Sequence, residues 1–221
     1  PPRAPRLAVL VPYRYQKDEV GQQKGLEDFA AHLQAFLGHQ TPPIEADVIA
    51  IEQGDRGTFN RGKLINAGFD IAHRHSEHSV KTRGAVDEGI DYVCIHDPDL
   101  RPAGDMLGAY YKFRGRGTVV HPAVAIECGP RPPNVVGGVV CLGVDAYRRA
   151  NGMYNGFWGG QRGDGGGGGE ENMQDNGSRN GRVVDDQFHE RLVAAGITVE
   201  EPAGVMTAAQ AAASLAKGGG G

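Results

Sequence analysis

The sequence has little cysteine, one tryptophan and no long apolar run, and these shortages exclude several classes of protein. Three cysteines among 221 residues cannot build a disulfide framework. No stretch approaches the roughly 18 consecutive apolar residues of a membrane span, so we expect no membrane contact by this segment. The net charge of −4 leaves no basic field, so we expect no nucleic-acid partner.

The length and composition of the chain fit one globular domain. A chain of 221 residues can bury a sizeable core. Cys94 and Cys141 lie in apolar stretches, where free cysteine usually acts as a small buried hydrophobe. The first residue is Pro1 rather than Met, so we expect an excised domain of a longer protein. Residues 160–182 and 208–221 are poor in apolar side chains or end in glycines, which predicts a disordered insert and a flexible tail.

Apolar patterning predicts strands that alternate with helices. This order is typical of an α/β fold with a central, mostly parallel sheet. The predicted strands are 7–11, ended by Pro12, then 44–53, 92–96, 135–142 and an edge strand at 197–199. The predicted helices are 26–37, 63–73 and 186–195, the last capped by Gly196.

Two carboxylates follow the third predicted strand. Asp97 and Asp99 are two residues apart, so an extended backbone points both side chains the same way. Such like charges repel each other unless a cation or a basic group neutralises them. A hard divalent ion that carries the phosphates of a sugar nucleotide would do so. A solvated turn is the alternative, because many turns contain this D-x-D pattern.

Further motifs follow in a fixed order along the chain. They are VPYR at 11–14, FNRGKLINAGF at 59–69, HDPD at 96–99, VGGV at 136–139, NGMYNGFWG at 151–159 and DDQF at 185–188. Together they resemble the β-1,4-galactosyltransferase family, and in particular its xylosylprotein branch. The resemblance implies a GT-A fold, a UDP-galactose donor, Mn²⁺, and inverting transfer to a xylosylated protein or another glycan. It also implies a Golgi-lumen location, with a membrane anchor elsewhere in the parent protein.

The resemblance also implies roles for the residues of these motifs. On the donor side, Asp99 is the expected metal ligand and Asp97 supports the ribose. Arg14 is expected to hold phosphate or the uracil edge; a solvated loop arginine is the alternative. The other donor-side residues are Pro12 and Tyr13 after the first strand, Phe59 against the base, Arg61 near phosphate, and Gly137 and Gly138 beside the sugar.

On the acceptor side, Trp158 resembles the family's platform for sugar C–H groups, and a core tryptophan is the alternative. Asp185 aligns with the catalytic base that takes the proton of the acceptor hydroxyl. Asp186 is expected to bind substrate and to open the next helix; simple capping by both acids is the alternative.

Two departures from the family pattern keep other functions open. Val184 stands where the family has a glutamate, and no histidine matches the C-terminal metal ligand. A degenerate nucleotide- or glycan-binding homologue is therefore one alternative. Another is a related transferase that uses UDP-GalNAc as donor or N-acetylglucosamine as acceptor.

Overall fold

The computed structural model describes residues 3–14, 22–55, 57–83, 89–98, 100–102, 108, 111–122, 138–156 and 187–200. Its strands are β1 Leu7–Tyr13, β2 Ala46–Glu52, β3 Tyr92–His96, β4 Val119–Val120, β5 Val139–Gly143 and β6 Val199–Glu200. Its helices are α1 Gln22–Gly38, α2 Arg61–Arg83 and α3 Val144–Arg149, followed by α4, residues 187–194.

The described strands form a six-stranded sheet in the order β2-β1-β3-β5-β4-β6. β1 is parallel to β2 and β3, whereas β5 is antiparallel to both β3 and β4. β6 is parallel to β4. Only β5 among these strands therefore runs against the rest, which confirms the predicted, mostly parallel α/β sheet.

The first strand extends past the proline that was expected to end it. Pro12 pairs with Ile51 in the register of β1 with β2. On the other side of β1, pairing with β3 covers only Leu7 to Leu10. A proline has no N–H to donate, but it can occupy a strand where one side has no ladder to complete. The predicted end at Val11 was wrong because that one-sided pairing is a tertiary feature.

Alternate residues of β1 pack into two apolar cores on opposite faces of the sheet. Leu7, Val9 and Val11 belong to the core that includes the α1 side chains Phe29 and Leu33. The core on the other face contains side chains from β1, α2 and α4, including Ala8, Leu10, Ile65, Phe69, Phe188 and Leu192. Burial on both faces explains why β1 reads as a continuous apolar run instead of an alternating one.

Helix ends follow local capping chemistry. The Asn60 side chain accepts a hydrogen bond from the N–H of Lys63 at 2.8 Å, so α2 begins at Arg61, two residues earlier than predicted. At the end of α4, Gly196 has a φ of 67°. Its N–H donates to the carbonyl of Val193, and that of Ile197 donates to Leu192. This is the predicted glycine cap.

The short elements β4 and α3 were not predicted. β4 has only two residues, too few for a periodic pattern, and α3 follows β5 without an intervening loop. Cys94 and Cys141 are buried as expected, but they face each other across β3 and β5 and are joined by a disulfide. That pairing depends on strand register, which apolar patterning alone does not give.

The predicted insert 160–182 and tail 208–221 lie outside the described residues. Where the chain is described, none of its helices combines the length and the apolarity that crossing a bilayer requires.

Candidate active site

The carboxyl edge of the sheet collects several of the predicted donor-side residues. Because β1, β2 and β3 are parallel, Arg14, Gln53 and Asp97 follow strands that end on the same side. β5 is antiparallel, so its first residues come to this edge too. The N–H of Asp97 donates to the carbonyl of Gly138 at 2.8 Å. The fold thus places Asp97 and Gly138 side by side.

Arg61 is paired with the first strand-end carboxylate. Its Nη2 lies 2.8 Å and its Nε 3.3 Å from Oδ1 of Asp97. The Arg61 side chain is 13% exposed and that of Asp97 is 36% exposed. The sequence allowed either a cation or a basic group to neutralise the strand-end carboxylates, and for Asp97 the structure shows a basic group, Arg61. Because Arg61 is the first residue of α2, the ion pair also fixes this helix end against the strand end.

His96 holds the turn that follows β3. The side chain is fully buried, with Nδ1 2.9 Å from the carbonyl oxygen of Asp97 and Nε2 3.0 Å from the Tyr111 hydroxyl. A carbonyl oxygen can only accept, so Nδ1 carries the proton and Nε2 accepts from Tyr111. Burial lowers the pKa of His96 and raises that of Tyr111, which keeps both groups neutral. With both nitrogens engaged, His96 is a structural group here and not a metal ligand.

The loop between β2 and α2 is organised by Gln53, a residue that the sequence did not single out. This buried side chain donates to Asp55 at 2.8 Å and to the carbonyl of Thr58 at 3.0 Å. Its oxygen accepts from the N–H of Asn60 at 2.8 Å. These bonds lower the flexibility of the loop that carries Phe59, which is half-buried next to Asn60. A glutamine directly after a strand and before an Asp-x-Gly turn was the available signal.

The remaining VPYR residues differ in exposure. Pro12 is buried within β1, whereas Tyr13 and Arg14 are partly exposed at the edge. The Tyr13 hydroxyl donates to Glu52 at 3.1 Å, and its pKa is raised by burial and by that carboxylate. Arg14 donates to the carbonyl of Gly57. Arg14 is therefore tied to the Gln53 loop on the same side of the sheet as Asp97.

A second loop, residues 151–156, lies against the start of α2. Asn60 donates from Nδ2 to the carbonyl of Asn155 at 2.9 Å. Asn66 exchanges two hydrogen bonds of 2.9 Å with the backbone of Met153. A Cβ at Gly62 would overlap the carbonyl of Tyr154. The two asparagines of the FNRGKLINAGF block thus position the 151–156 loop.

Five predicted residues lie outside the described part of the chain. They are Asp99, Gly137, Trp158, Asp185 and Asp186. Their roles stay predictions, although the described segments end at Gly156 and resume at Gln187, next to several of them. Among the described residues, no cluster of three His, Cys, Asp or Glu side chains can hold a metal ion. A carboxylate suits Mn²⁺, but Asp97 alone would be an incomplete donor set.

The sequence is similar to those of known glycosyltransferases. Residues 3–106 match the N-terminal region of glycosyl transferase group 7. Human beta-1,4-galactosyltransferase 7 is 31% identical over 204 residues, which are 91% of this chain and 48% of that protein. Xylosylprotein 4-beta-galactosyltransferase of Caenorhabditis elegans is 31% identical over 156 residues, covering 70% of this chain and 46% of the relative. The chain thus spans about half the length of these relatives.

Solved structures show the same similarity in three dimensions. The catalytic domain of Drosophila beta-1,4-galactosyltransferase 7 in complex with xylobiose has a TM-score of 0.65 and 25% identity. A mutant of the Drosophila enzyme, in complex with manganese, UDP-Gal and xylobiose, has a TM-score of 0.65 and 26% identity. Each alignment covers 92% of this chain and 67% of the other. These neighbours are GT-A galactosyltransferases, so the predicted fold is confirmed.

Proposed function

Because the chain belongs to the β-1,4-galactosyltransferase family, we propose that its parent protein transfers galactose from UDP-galactose to the 4-hydroxyl of a β-xyloside. The observation that carries this proposal is the meeting of Asp97, Arg61 and Gly138 at one edge of the sheet. In α/β folds this edge is where nucleotides bind. A Drosophila relative of the same fold has been captured with UDP-Gal, manganese and xylobiose.

In this proposal, the residues at the strand ends bind the donor, UDP-galactose. We assign Phe59 to the base and Arg14 to phosphate or the uracil edge, with Pro12 and Tyr13 beside them. Arg61 lies near phosphate and also holds Asp97 in place for the ribose. Gly137 and Gly138 let the backbone approach the sugar closely, because glycine has no side chain to block it. Asp99 would hold Mn²⁺, which would stabilise negative charge on the departing diphosphate.

The acceptor half requires a base and a sugar platform. Asp185 takes the proton from the acceptor hydroxyl while the oxygen of that hydroxyl forms a bond to the anomeric carbon. The bond from that carbon to the UDP oxygen breaks on the opposite side, so the configuration inverts and UDP leaves. Trp158 supports the sugar ring and Asp186 binds the acceptor.

The location follows as part of the same proposal. Addition of galactose to xylosylated protein would take place in the Golgi lumen, with the parent protein anchored by a segment beyond this domain. The Cys94–Cys141 disulfide supports an oxidising compartment, since such bonds persist mainly there.

The experiment measures UDP release by the full-length protein with Mn²⁺, UDP-galactose and a xyloside. Asp185→Asn should lower kcat by about 100-fold or more while UDP affinity stays within about twofold, because the base acts only in the transition state. Asp145→Asn is the matched control, since Asp145 is a half-exposed acid that pairs with Arg116. Unchanged turnover in Asp185→Asn would refute the base assignment.

The wild-type protein also separates the alternative functions. Turnover with UDP-GalNAc or with an N-acetylglucosamine acceptor, but not with the first pair, would indicate a related transferase. UDP binding without turnover for any pair would indicate a degenerate homologue, which the valine at position 184 favours.

A further inference from the structure

The 151–156 loop turns two neighbouring carbonyl groups toward one arginine. Asn151 and Gly152 have φ angles of 57° and 64°, the left-handed region that few residues other than glycine adopt. From α4, Nη1 of Arg191 lies 2.8 Å from the carbonyl oxygen of Asn151 and 3.2 Å from that of Gly152. The Arg191 guanidinium is also 5.7 Å from the centre of the Tyr154 ring, within reach of a cation–π contact.

The opposite side of this loop is held by α2. Asn60 binds the carbonyl of Asn155 and Asn66 binds the backbone of Met153, both at 2.9 Å. The loop is therefore clamped between the first turns of α2 and the Arg191 side chain. The same end of α2 carries Arg61, which binds Asp97. Polar contacts thus connect α4 to the strand end where the donor is proposed to bind.

We propose that Arg191 is a positioning residue that fixes α4 to the 151–156 loop. This inference rests on the proposed function, because it assigns Arg191 to the acceptor half of that site. In sequence, the loop leads into Trp158 and α4 directly follows Asp185 and Asp186. Phe188 and Leu192 of α4 share an apolar core with Met153 of the loop, which holds the two segments near each other. The Arg191 side chain adds the direct polar bond that fixes how the loop faces α4.

The chemistry of arginine suits this role better than lysine would. A guanidinium is planar, always charged and offers several donors in a fixed fork, so it can bind two carbonyl oxygens and lie over a ring at once. A lysine ammonium is a point charge on a flexible stem and can reproduce only part of this arrangement. Arg191→Lys keeps the charge but loses the fixed fork of donors, so it tests the positioning role. Arg191→Met removes the charge and all the hydrogen bonds, so it tests the whole contact.

The experiment compares the full-length wild type with Arg191→Met and Arg191→Lys. Arg74→Met is the matched control, because Arg74 is a 79%-exposed arginine with one long ion pair to Asp70. The readouts are kcat, KM for UDP-galactose and for the xyloside, the melting temperature, and acrylamide quenching of Trp158. Trp158 is the only tryptophan in these 221 residues, and any tryptophan outside them cancels when each Arg191 variant is compared with Arg74→Met.

Arg191→Met should lower kcat about tenfold or more, because a shift of about 1 Å in a catalytic geometry is costly. It should change Trp158 quenching and leave KM for UDP-galactose within about twofold. Arg191→Lys should recover part of both losses. If Arg191→Met does not fold, Arg191→Lys decides alone: reduced kcat with altered quenching supports the proposal.

The proposal is overturned if the Arg191 variants keep wild-type kcat and wild-type Trp158 quenching, even if their melting temperature falls. If the wild type itself shows no turnover, the proposed function fails, and the quenching comparison between Arg191→Met and Arg74→Met still decides whether Arg191 positions this segment.

Discussion

The two edges of the sheet hold polar groups in different ways. At the amino edge, Asp91 accepts from Arg3 at 2.7 Å and from Arg116 at 3.4 Å, and Arg116 also contacts Asp145. The Arg3 and Arg116 side chains are 34% and 43% exposed, so water screens their side of these pairs, whereas Asp91 is 14% exposed and also accepts from the N–H of Arg6 at 2.9 Å. At the carboxyl edge, His96 and Asn60 are fully buried or nearly so, and bind backbone groups.

The arginine ion pairs of the amino edge lie at the surface, whereas the buried polar side chains of the carboxyl edge fix the conformation of a loop. An exposed ion pair contributes little to stability, because each charge is well solvated without its partner. A buried side chain that binds a carbonyl fixes one loop conformation, and its loss leaves an unpaired polar group away from water. The carboxyl edge should therefore be much less tolerant of substitution than the amino edge, as expected for a functional site.

The largest effect is expected where α2 meets the 151–156 loop. Gly62→Ala would drive a methyl group into the carbonyl of Tyr154, so we expect a loss of about 2 kcal/mol in the free energy of unfolding. Gly25→Ala in α1 is the matched control, because a Cβ there meets nothing within 4 Å. It should gain about 0.5 to 1 kcal/mol from the better helix propensity of alanine.

Urea unfolding of both glycine variants gives the measurement. Opposite signs are the expected result. Two stabilising substitutions would mean that the loop does not approach α2 closely, and the contrast between the edges would lose its main support.

A smaller, pH-dependent effect is expected at His96. Because burial lowers its pKa in the folded protein, the unfolded state takes up the proton first. Stability from neutral His96 is complete above the unfolded pKa of about 6.5 and is lost as the pH falls below it. His96→Gln should therefore destabilise the protein more at pH 7.5 than at pH 5.5.

The comparison of wild type and His96→Gln by urea unfolding at both pH values measures this shift, and the other seven histidines cancel in the difference. Asp97, whose charge acts in the opposite direction on His96, is present in both proteins. A difference in unfolding free energy that is the same at both pH values would contradict the assignment.

The smallest effect is expected at the amino edge. Arg116→Met removes the contacts to Asp91 and Asp145, yet we expect a loss of only about 0.5 kcal/mol, and less in high salt. A loss as large as that of Gly62→Ala would remove the distinction between the two edges. Unfolding in low and high salt provides the test.

Local sequence patterns predicted most of the regular structure. The third strand was predicted at its observed bounds, 92–96, because a short apolar run between polar residues is typical of a strand that is buried on both faces. The glycine cap at Gly196 was also correct. The misses that involve the sheet are Pro12 within β1, the two-residue β4 and the disulfide between Cys94 and Cys141. Each of these depends on which strands are neighbours.

For the candidate site, motif order in the sequence identified the residues, and the fold decided their partners. The sequence by itself determined the α/β class, the family and the presence of Asp97, Arg61 and Gly138, because these follow from residue types and short spacings. Only the tertiary structure decided that Arg61 binds Asp97 and that Arg191 binds the 151–156 loop. Those contacts join residues 36 and 40 positions apart, and strand order, not local propensity, brings such residues together.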